Sequence, residues 1–386
     1  MTRSLCTGNY AAGHTLARAG EANRNARGCA AGAYPITPQT EIIEYLRGFD
    51  FSKGRVVAVE SEHSAMGVCI GASLGGARTF TASSSNGLSY MTENVFAAGF
   101  FRLPIVMMAV NRTLGPPWNI WVDHGDTLAL RDAGWIHLYC EDNQEVFDSI
   151  LAAYRLAEDP RILLPAMVCQ DAFVLSHTMM MTDIVSQDAV DRFLPPLDLP
   201  HRLTDRPVVV GGLDFPHQNE VHRRQQQEAM DRVPAVYREV QDAFEQAFGR
   251  RLADAVVPYR MADAEVVVVS MGTTGSTARA AVDAARERGI AAGALRVRLF
   301  RPLPEAELRR LLAGTRRVAV LDRDLSPGLG GILWGEIRSL AHCETVVQNY
   351  VIGLGGGDIR PEQIEQIIVD AAALERAAEP RFVEVG

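Results

Sequence analysis

The chain has 386 residues, 47% of them hydrophobic and 22% charged, with a formal net charge of -9. That length suits two or three domains with ordinary buried cores, and the acidic balance excludes a protein that coats nucleic acid or an anionic membrane. No apolar run approaches the roughly 18 residues needed to cross a bilayer, and residues 1–10 lack the apolar centre of a secretory signal. The chain is therefore expected to be soluble and cytoplasmic. Its six cysteines, at positions 6, 29, 69, 140, 169 and 343, form no CxxC pair. They read as buried free thiols rather than ligands of zinc or an iron–sulfur cluster.

Strand-like and helical patterns then alternate along the chain. Residues 55–60 read as a buried strand and 62–75 as a helix, with Met66, Cys69, Ile70 and Leu74 at helical spacing. A second strand follows at 78–83, a helix at 86–101 and a third strand at 104–110. Val146, Ile150, Tyr154 and Ala157 mark another helical face. Residues 162–169 read as a further strand, with Pro165 pointing to a bulge or an edge position. Between about 181 and 262, prolines at 195, 196, 200, 207 and 216 break the pattern, and 218–250 reads as one long or broken helix. From 263 the alternation resumes. Strands are expected at 265–270, 294–300, 318–321 and 345–348, and a glycine turn at 271–276 leads into a helix through Arg286. Such β/α alternation implies parallel sheets covered by helices on both faces. The domain boundaries read as 1–200, a partly helical connector at 201–262 that wraps a partner or the first domain, and 263–386.

In open parallel sheets, sites form beyond the carboxyl ends of the strands, and several segments fall there. In Tyr34-Pro-Ile-Thr-Pro38 two prolines stiffen the backbone around Thr37; the plain alternative is an ordinary proline-rich loop. In Val59-Glu-Ser-Glu-His63 the acidic residues either stabilise a helix N-terminus or hold a carboxyl for proton transfer. Arg112 directly follows a strand, where a guanidinium can grip a carboxylate through two hydrogen bonds or form a surface ion pair. The loop 119–126 adds an Asp123-His124 pair, with tryptophans at 118 and 121. The turns Gly272-Thr-Thr-Gly275 and Gly353-Leu-Gly-Gly-Gly357 suit phosphate binding or plain packing.

Taken in order, Tyr34–Pro38, Glu60-Ser-Glu-His63, Thr79–Ser83 with Asn86-Gly-Leu88, Leu103-Pro-Ile-Val106, Asn111-Arg112, Asn119-Ile-Trp121, Asp123-His124, Gly134-Trp135 and Asn143-Gln-Glu145 resemble the alpha subunit of pyruvate:ferredoxin oxidoreductases and their relatives, phenylglyoxylate dehydrogenase-like members included. The resemblance covers about 8–178, and 263 to about 375 resembles the same family's transketolase-C-like domain. It implies a pyrimidine-type thiamine-diphosphate-binding α/β domain followed by that second α/β domain. It implies that Glu62 bonds the aminopyrimidine nitrogen of the cofactor, with Glu60 the less suitable neighbour. Thr37 and Arg112 match the positions that grip the 2-oxoacid carboxylate. Pro35 and Arg112 are further cofactor contacts on this reading. Asn111, Asn119, Asp123 and His124 receive no role.

Two absences complete the expectation. There is no Gly-Asp-Gly segment for diphosphate and magnesium, and no cysteine run for a [4Fe–4S] cluster. The resemblance therefore implies beta-, gamma- and delta-type partner subunits that bind Mg2+, the diphosphate and the clusters, while this chain holds no metal. The implied reaction is CoA-dependent oxidative decarboxylation, with ferredoxin or another acceptor taking the electrons. Pyruvate and an aryl 2-oxoacid such as phenylglyoxylate stay open as substrates. A 2-oxoglutarate-type subunit, a non-oxidative decarboxylase subunit and a non-catalytic scaffold are the alternatives.

Overall fold

The computed structural model describes residues 2–205 and 207–384. Its first sheet has seven strands in the order Leu299–Arg301, Ile136–Tyr139, Ala166–Asp171, Val106–Asn111, Arg78–Ser83, Cys29–Ala33 and Gly54–Ala58. Every pairing is parallel except that of Leu299–Arg301. The second sheet has six, in the order Arg381–Phe382, Val346–Val351, Arg317–Asp322, Val266–Ser270, Ala292–Val297 and Val256–Tyr259, the last antiparallel. Thr2–Cys6 and Met180–Ile184 form a separate antiparallel pair. The α/β architecture with parallel sheets is the one the alternation implied. Strands Arg78–Ser83, Val106–Asn111 and Ala166–Asp171 are buried at every position, as helices on both faces of a parallel sheet require.

Several local readings need correction. Gly54–Ala58 is not a buried strand but the sheet's outer edge, with Gly54, Arg55 and Ala58 exposed. Its Val56 and Val57 are only partly buried, Val56 packing against the core of this chain. Pro165 marks neither a bulge nor an edge. The strand begins just after it and lies between two neighbours, while Pro165 lends only its carbonyl, to Ile136 N–H at 2.9 Å. The helix expected at 86–101 is two, Asn86–Tyr90 and Thr92–Phe100, because Met91 takes ψ near zero between them. The strand expected at 294–300 divides at Arg298, whose backbone N–H turns to Ala255 O and whose Nη2 donates to Ser149 Oγ at 2.6 Å. The chain thereby leaves the second sheet and adds Leu299–Arg301 to the first. Of the six cysteines, Cys343 is exposed and the other five are buried free thiols.

The helix Pro216–Phe248 is continuous, with Pro234 inside it. Val233, Val236, Tyr237, Val240, Phe244 and Phe248 form its buried stripe, packed on helices Asn143–Ala157 and Gln187–Phe193. No helix among the described residues is long and apolar enough to cross a membrane.

The two sheets meet through their strands' carboxyl ends. Asp171, last residue of Ala166–Asp171, accepts from His124 Nε2 at 2.8 Å, from Thr273 N–H at 3.3 Å and from the Thr273 hydroxyl, and lies 3.5 Å from Arg323 Nη1. Thr273 is the N-cap of helix Thr274–Glu287. The glycine turn is thus filled by a carboxylate of the same chain, in line with its packing alternative rather than with phosphate binding. Burial pushes the Asp171 carboxyl up, but His124, Arg323 and Thr273 outweigh it and hold the carboxyl down at about 2.

Because the folded value lies below the unfolded one of about 3.9, this carboxylate stabilises the fold fully above about pH 4, and the contribution is lost as pH falls through about 2. Asp171→Ala should cost about 3–5 kcal/mol, since it leaves buried His124 and Arg323 without their partner. Urea unfolding followed by tryptophan fluorescence checks the loss. The variant should also lack the part of the wild type's acid dependence between about pH 4 and pH 2.

Candidate functional site

Four strand ends lie side by side in the first sheet, those of Val106–Asn111, Arg78–Ser83, Cys29–Ala33 and Gly54–Ala58. The residues singled out in the sequence lie just beyond them. Glu62 opens helix Glu62–Leu74 after the edge strand and is only 7% exposed. Ser61 is the N-cap, its hydroxyl accepting from Ser64 N–H at 3.2 Å. The Glu62 carboxyl therefore sits in the first turn, where the helix dipole favours it. Gly87 makes room for it. A Cβ there would stand 2.7 Å from Glu62 Oε1 and 2.5 Å from Ser83 Oγ. Glu60, by contrast, is exposed and accepts from the Ser64 hydroxyl.

Arg112 is half-buried and anchored three times. Its backbone N–H donates to Asp126 Oδ2 at 2.9 Å, Nε to Asn119 O at 3.0 Å, and Nη1 to Thr37 O at 2.7 Å. Nη2 has no hydrogen-bond partner among the described residues. Burial lowers the guanidinium's pKa, with Asp126 opposing, so an anion beside it would be favoured. Asn119 O takes Nε and Thr37 O takes Nη1, which leaves Nη2 to meet a further acceptor. The Thr37 loop is held in turn by Asn9 Nδ2, which donates to Pro38 O at 2.6 Å, and by Gln39 Nε2, which donates to Tyr34 O at 2.9 Å. Pro35 and Thr37 are exposed, and the Thr37–Pro38 bond is cis.

The residues without a role now have partners. Asn111 is fully buried and donates to Asp126 Oδ1 and Thr127 Oγ1 at 2.9 and 2.7 Å. Asp123 accepts from Gly125 N–H at 2.7 Å. His124 bonds Asp171 through Nε2. Asn119 spans the two halves of the chain. Its Nδ2 donates to Gly355 O at 2.8 Å, and its Oδ1 accepts from Trp121 N–H at 2.6 Å. Trp121 packs on Phe173 with ring centroids 4.7 Å apart. Trp118, Ile120 and Trp121, which flank Asn119, are 72%, 41% and 48% exposed.

Sequence reading missed Asp126 and Phe173. Asp126 is 1% exposed, and burial pushes its carboxyl up to about 6 against the N–H donors around it. Neither residue carried a signal in the sequence, since the bonds that single them out join residues distant along the chain. Among the described residues no group of three or more His, Cys, Asp or Glu could hold a metal ion.

Comparison with known proteins is consistent from end to end. Residues 21–242 match the family described as pyruvate flavodoxin/ferredoxin oxidoreductase, thiamine diP-bdg, and 264–364 match pyruvate:ferredoxin oxidoreductase core domain II. Pyruvate synthase subunit PorA of Thermotoga maritima is 44% identical over 347 residues, 88% of each chain. Ketoisovalerate oxidoreductase subunit VorA of Pyrococcus abyssi is 38% identical over 392 residues, 98% of this chain and 97% of that one. A structure of 2-oxoglutarate:ferredoxin oxidoreductase from Magnetococcus marinus superposes with a TM-score of 0.73 at 20% identity, a likeness of fold. It covers 96% of this chain, which spans 65% of that longer one.

The contact between Asn119–Trp121 and the glycine loop yields a prediction. Gly356 has φ 89°, and a Cβ there would stand 2.1 Å from Trp121 Cβ. Gly356→Ala should destabilise the chain by at least the roughly 1–3 kcal/mol of a strained backbone. Thermal unfolding of the two proteins side by side measures it, and an unchanged midpoint would show that the loop does not press on Trp121.

Proposed function

This chain belongs to the pyruvate flavodoxin/ferredoxin oxidoreductase family, and on that premise we propose that it is the alpha-type subunit of a thiamine-diphosphate-dependent enzyme that oxidatively decarboxylates a 2-oxoacid to its acyl-CoA, releasing carbon dioxide and reducing ferredoxin or another acceptor. The observation that carries this reading is the row of strand ends that joins a buried carboxyl, Glu62, to a three-times-anchored guanidinium, Arg112.

The residues suit the pyrimidine end of the cofactor. Glu62 is a shielded carboxyl at a helix start, with Gly87 leaving its oxygens room. They do not suit the diphosphate end, for which the chain offers neither a Gly-Asp-Gly segment nor, among the described residues, a metal-binding cluster. When bound, thiamine diphosphate supplies the nucleophilic carbon and the electron sink that decarboxylation needs. Glu62 holds a proton at the pyrimidine nitrogen, a hydrogen bond that exclusion of water strengthens. Pro35 keeps the adjoining loop stiff where it borders the cofactor. Arg112 takes the substrate carboxylate through Nη2, and the Thr37 hydroxyl adds a second contact.

A partner chain completes the site on this reading. Helix Glu62–Leu74 carries apolar or small residues on every side, and its Gly67 and Gly71 are exposed. Beside it the edge strand Gly54–Ala58 has an open outer side. A beta-type subunit with the Mg2+ and diphosphate half-site covers this face. Gamma- and delta-type subunits carry the [4Fe–4S] clusters, in keeping with the absence of a cysteine run here. The apolar residues that flank Asn119 support an apolar substrate side chain, that of pyruvate, a branched 2-oxoacid or an aryl one such as phenylglyoxylate. A second carboxylate, as in 2-oxoglutarate, would meet Trp118, Ile120 and Trp121 with no cation among them.

The assembled complex, given CoA and a dye acceptor, should turn over one or more of the apolar 2-oxoacids at least tenfold more efficiently than 2-oxoglutarate. The isolated chain should be inactive. Tight magnesium-dependent binding of thiamine diphosphate by this chain alone, in calorimetry, would contradict the divided site. Glu62→Gln should slow hydrogen–deuterium exchange at C2 of the bound cofactor by orders of magnitude while assembly persists. Arg112→Leu should spare that exchange. Its efficiency toward the 2-oxoacid should fall by about 2–5 kcal/mol, the cost of leaving a desolvated carboxylate poorly paired. That is roughly a 30-fold to several-thousand-fold loss.

A further inference from the structure

We infer that Asp126 is the positioning residue that sets Glu62 and Arg112 relative to one another, an inference that rests on the roles proposed above for those two side chains. The Asp126 carboxylate is 1% exposed and accepts four N–H donors, two on each oxygen. Oδ2 accepts from the backbone N–H groups of Arg112 and Ser85, each at 2.9 Å. Oδ1 accepts from Asn111 Nδ2 at 2.9 Å and from Thr127 N–H at 2.8 Å. One oxygen atom thus ties the residue that follows strand Val106–Asn111 to the turn that follows strand Arg78–Ser83.

That turn is not at rest by itself. Ser85 stands at φ 51° and ψ -127°, a region that L residues rarely occupy unless their surroundings hold them there. Its hydroxyl donates to Thr113 O at 2.5 Å. Asn86 exchanges two bonds with Gly115, Nδ2 to O and N–H to Oδ1, both at 3.0 Å. The turn is therefore laced to the segment that begins with Arg112, and Asp126 is the buried acceptor at the centre of the lacing. Gly87, two residues beyond Ser85, lies against the Glu62 carboxyl. Asp126 bears on Arg112 directly through its N–H, and on Glu62 through Ser85 and Gly87. Only an ionised carboxylate can serve, because an amide in its place would aim its own N–H groups at two donors.

The test uses the assembled complex with Asp126→Asn, which keeps the side-chain volume. C2 hydrogen–deuterium exchange of the bound cofactor should slow at least tenfold. The Kd of oxamate, a non-reacting 2-oxoacid analogue, measured by calorimetry, should rise at least tenfold. A purely structural role would reduce the amount of complex and leave both readouts per assembled site unchanged. Adding Ser85→Gly lets the turn keep its backbone conformation without the carboxylate, so exchange should recover at least threefold while oxamate binding stays weak. If Asp126→Asn does not assemble, Asp126→Glu, which keeps the charge and shifts the oxygens, is measured in the same two ways with the same expected losses. Wild-type exchange and oxamate binding in the assembled variant would overturn the inference, as would exchange that stays slow in the double variant. Glu62→Gln and Arg112→Leu run in parallel separate the two levels. If those changes leave exchange and oxamate binding intact, it is the assignment of Glu62 and Arg112 that falls.

Discussion

The carboxylate of Asp171 collects its partners from three separate stretches of chain: His124 from the loop before helix Gly125–Leu128, Thr273 from the turn after strand Val266–Ser270, and Arg323 from the end of strand Arg317–Asp322. Two of these stretches belong to the second sheet, and Asp171 closes a strand of the first. A charge this deeply buried is tolerable only when opposite charge and hydrogen bonds surround it. The geometry of those partners therefore fixes how the two sheets can face each other, with their carboxyl-terminal ends together.

The consequence reaches Arg112, for which a grip on the substrate carboxylate is proposed, through a short physical path. Arg323, held by Asp171, donates from Nε to Gly353 O at 3.2 Å and from Nη2 to Gly357 O at 3.1 Å, and so shapes the glycine loop. Gly355 in that loop receives Asn119 Nδ2, and the Asn119 carbonyl receives Arg112 Nε. Each link is a bond between rigid groups, so the guanidinium arrives already oriented. Preorganisation of this kind is what lets a charge-assisted contact act on a substrate without first being ordered by it.

The opposite flank of the site is left unfinished by this chain. An edge strand with a valine-rich sequence and a neighbouring helix with exposed glycines border Glu62, whose own carboxyl is nonetheless shielded. A parallel sheet is normally covered on both faces. The combination of a covered acid and an uncovered border is what a shared active site requires of one of its two halves. It fits the division of labour proposed for the alpha-type subunit.

The sequence by itself determined the β/α alternation, the residues beyond the strand ends and, through the ordered series of short motifs, the family. These are properties of local pattern: apolar period, glycine and proline placement, and residue order survive without coordinates. Glu62, Thr37 and Arg112 were singled out for that reason, and the structure joins Arg112 to the Thr37 loop directly. Tertiary structure alone decided the rest. The valine run at 55–60 reads as covered because hydrophobicity does not say which strand lies at an edge. The turn at 272–275 stays open between phosphate binding and packing because a helix N-terminus attracts any anion, and only the fold brings it the Asp171 carboxylate. Asp126 looks like one acid among many until burial and four N–H donors, three of them from two neighbouring strand ends, converge on it. Contacts between residues distant in sequence depend on how the sheets close on one another, and no local pattern encodes that distance.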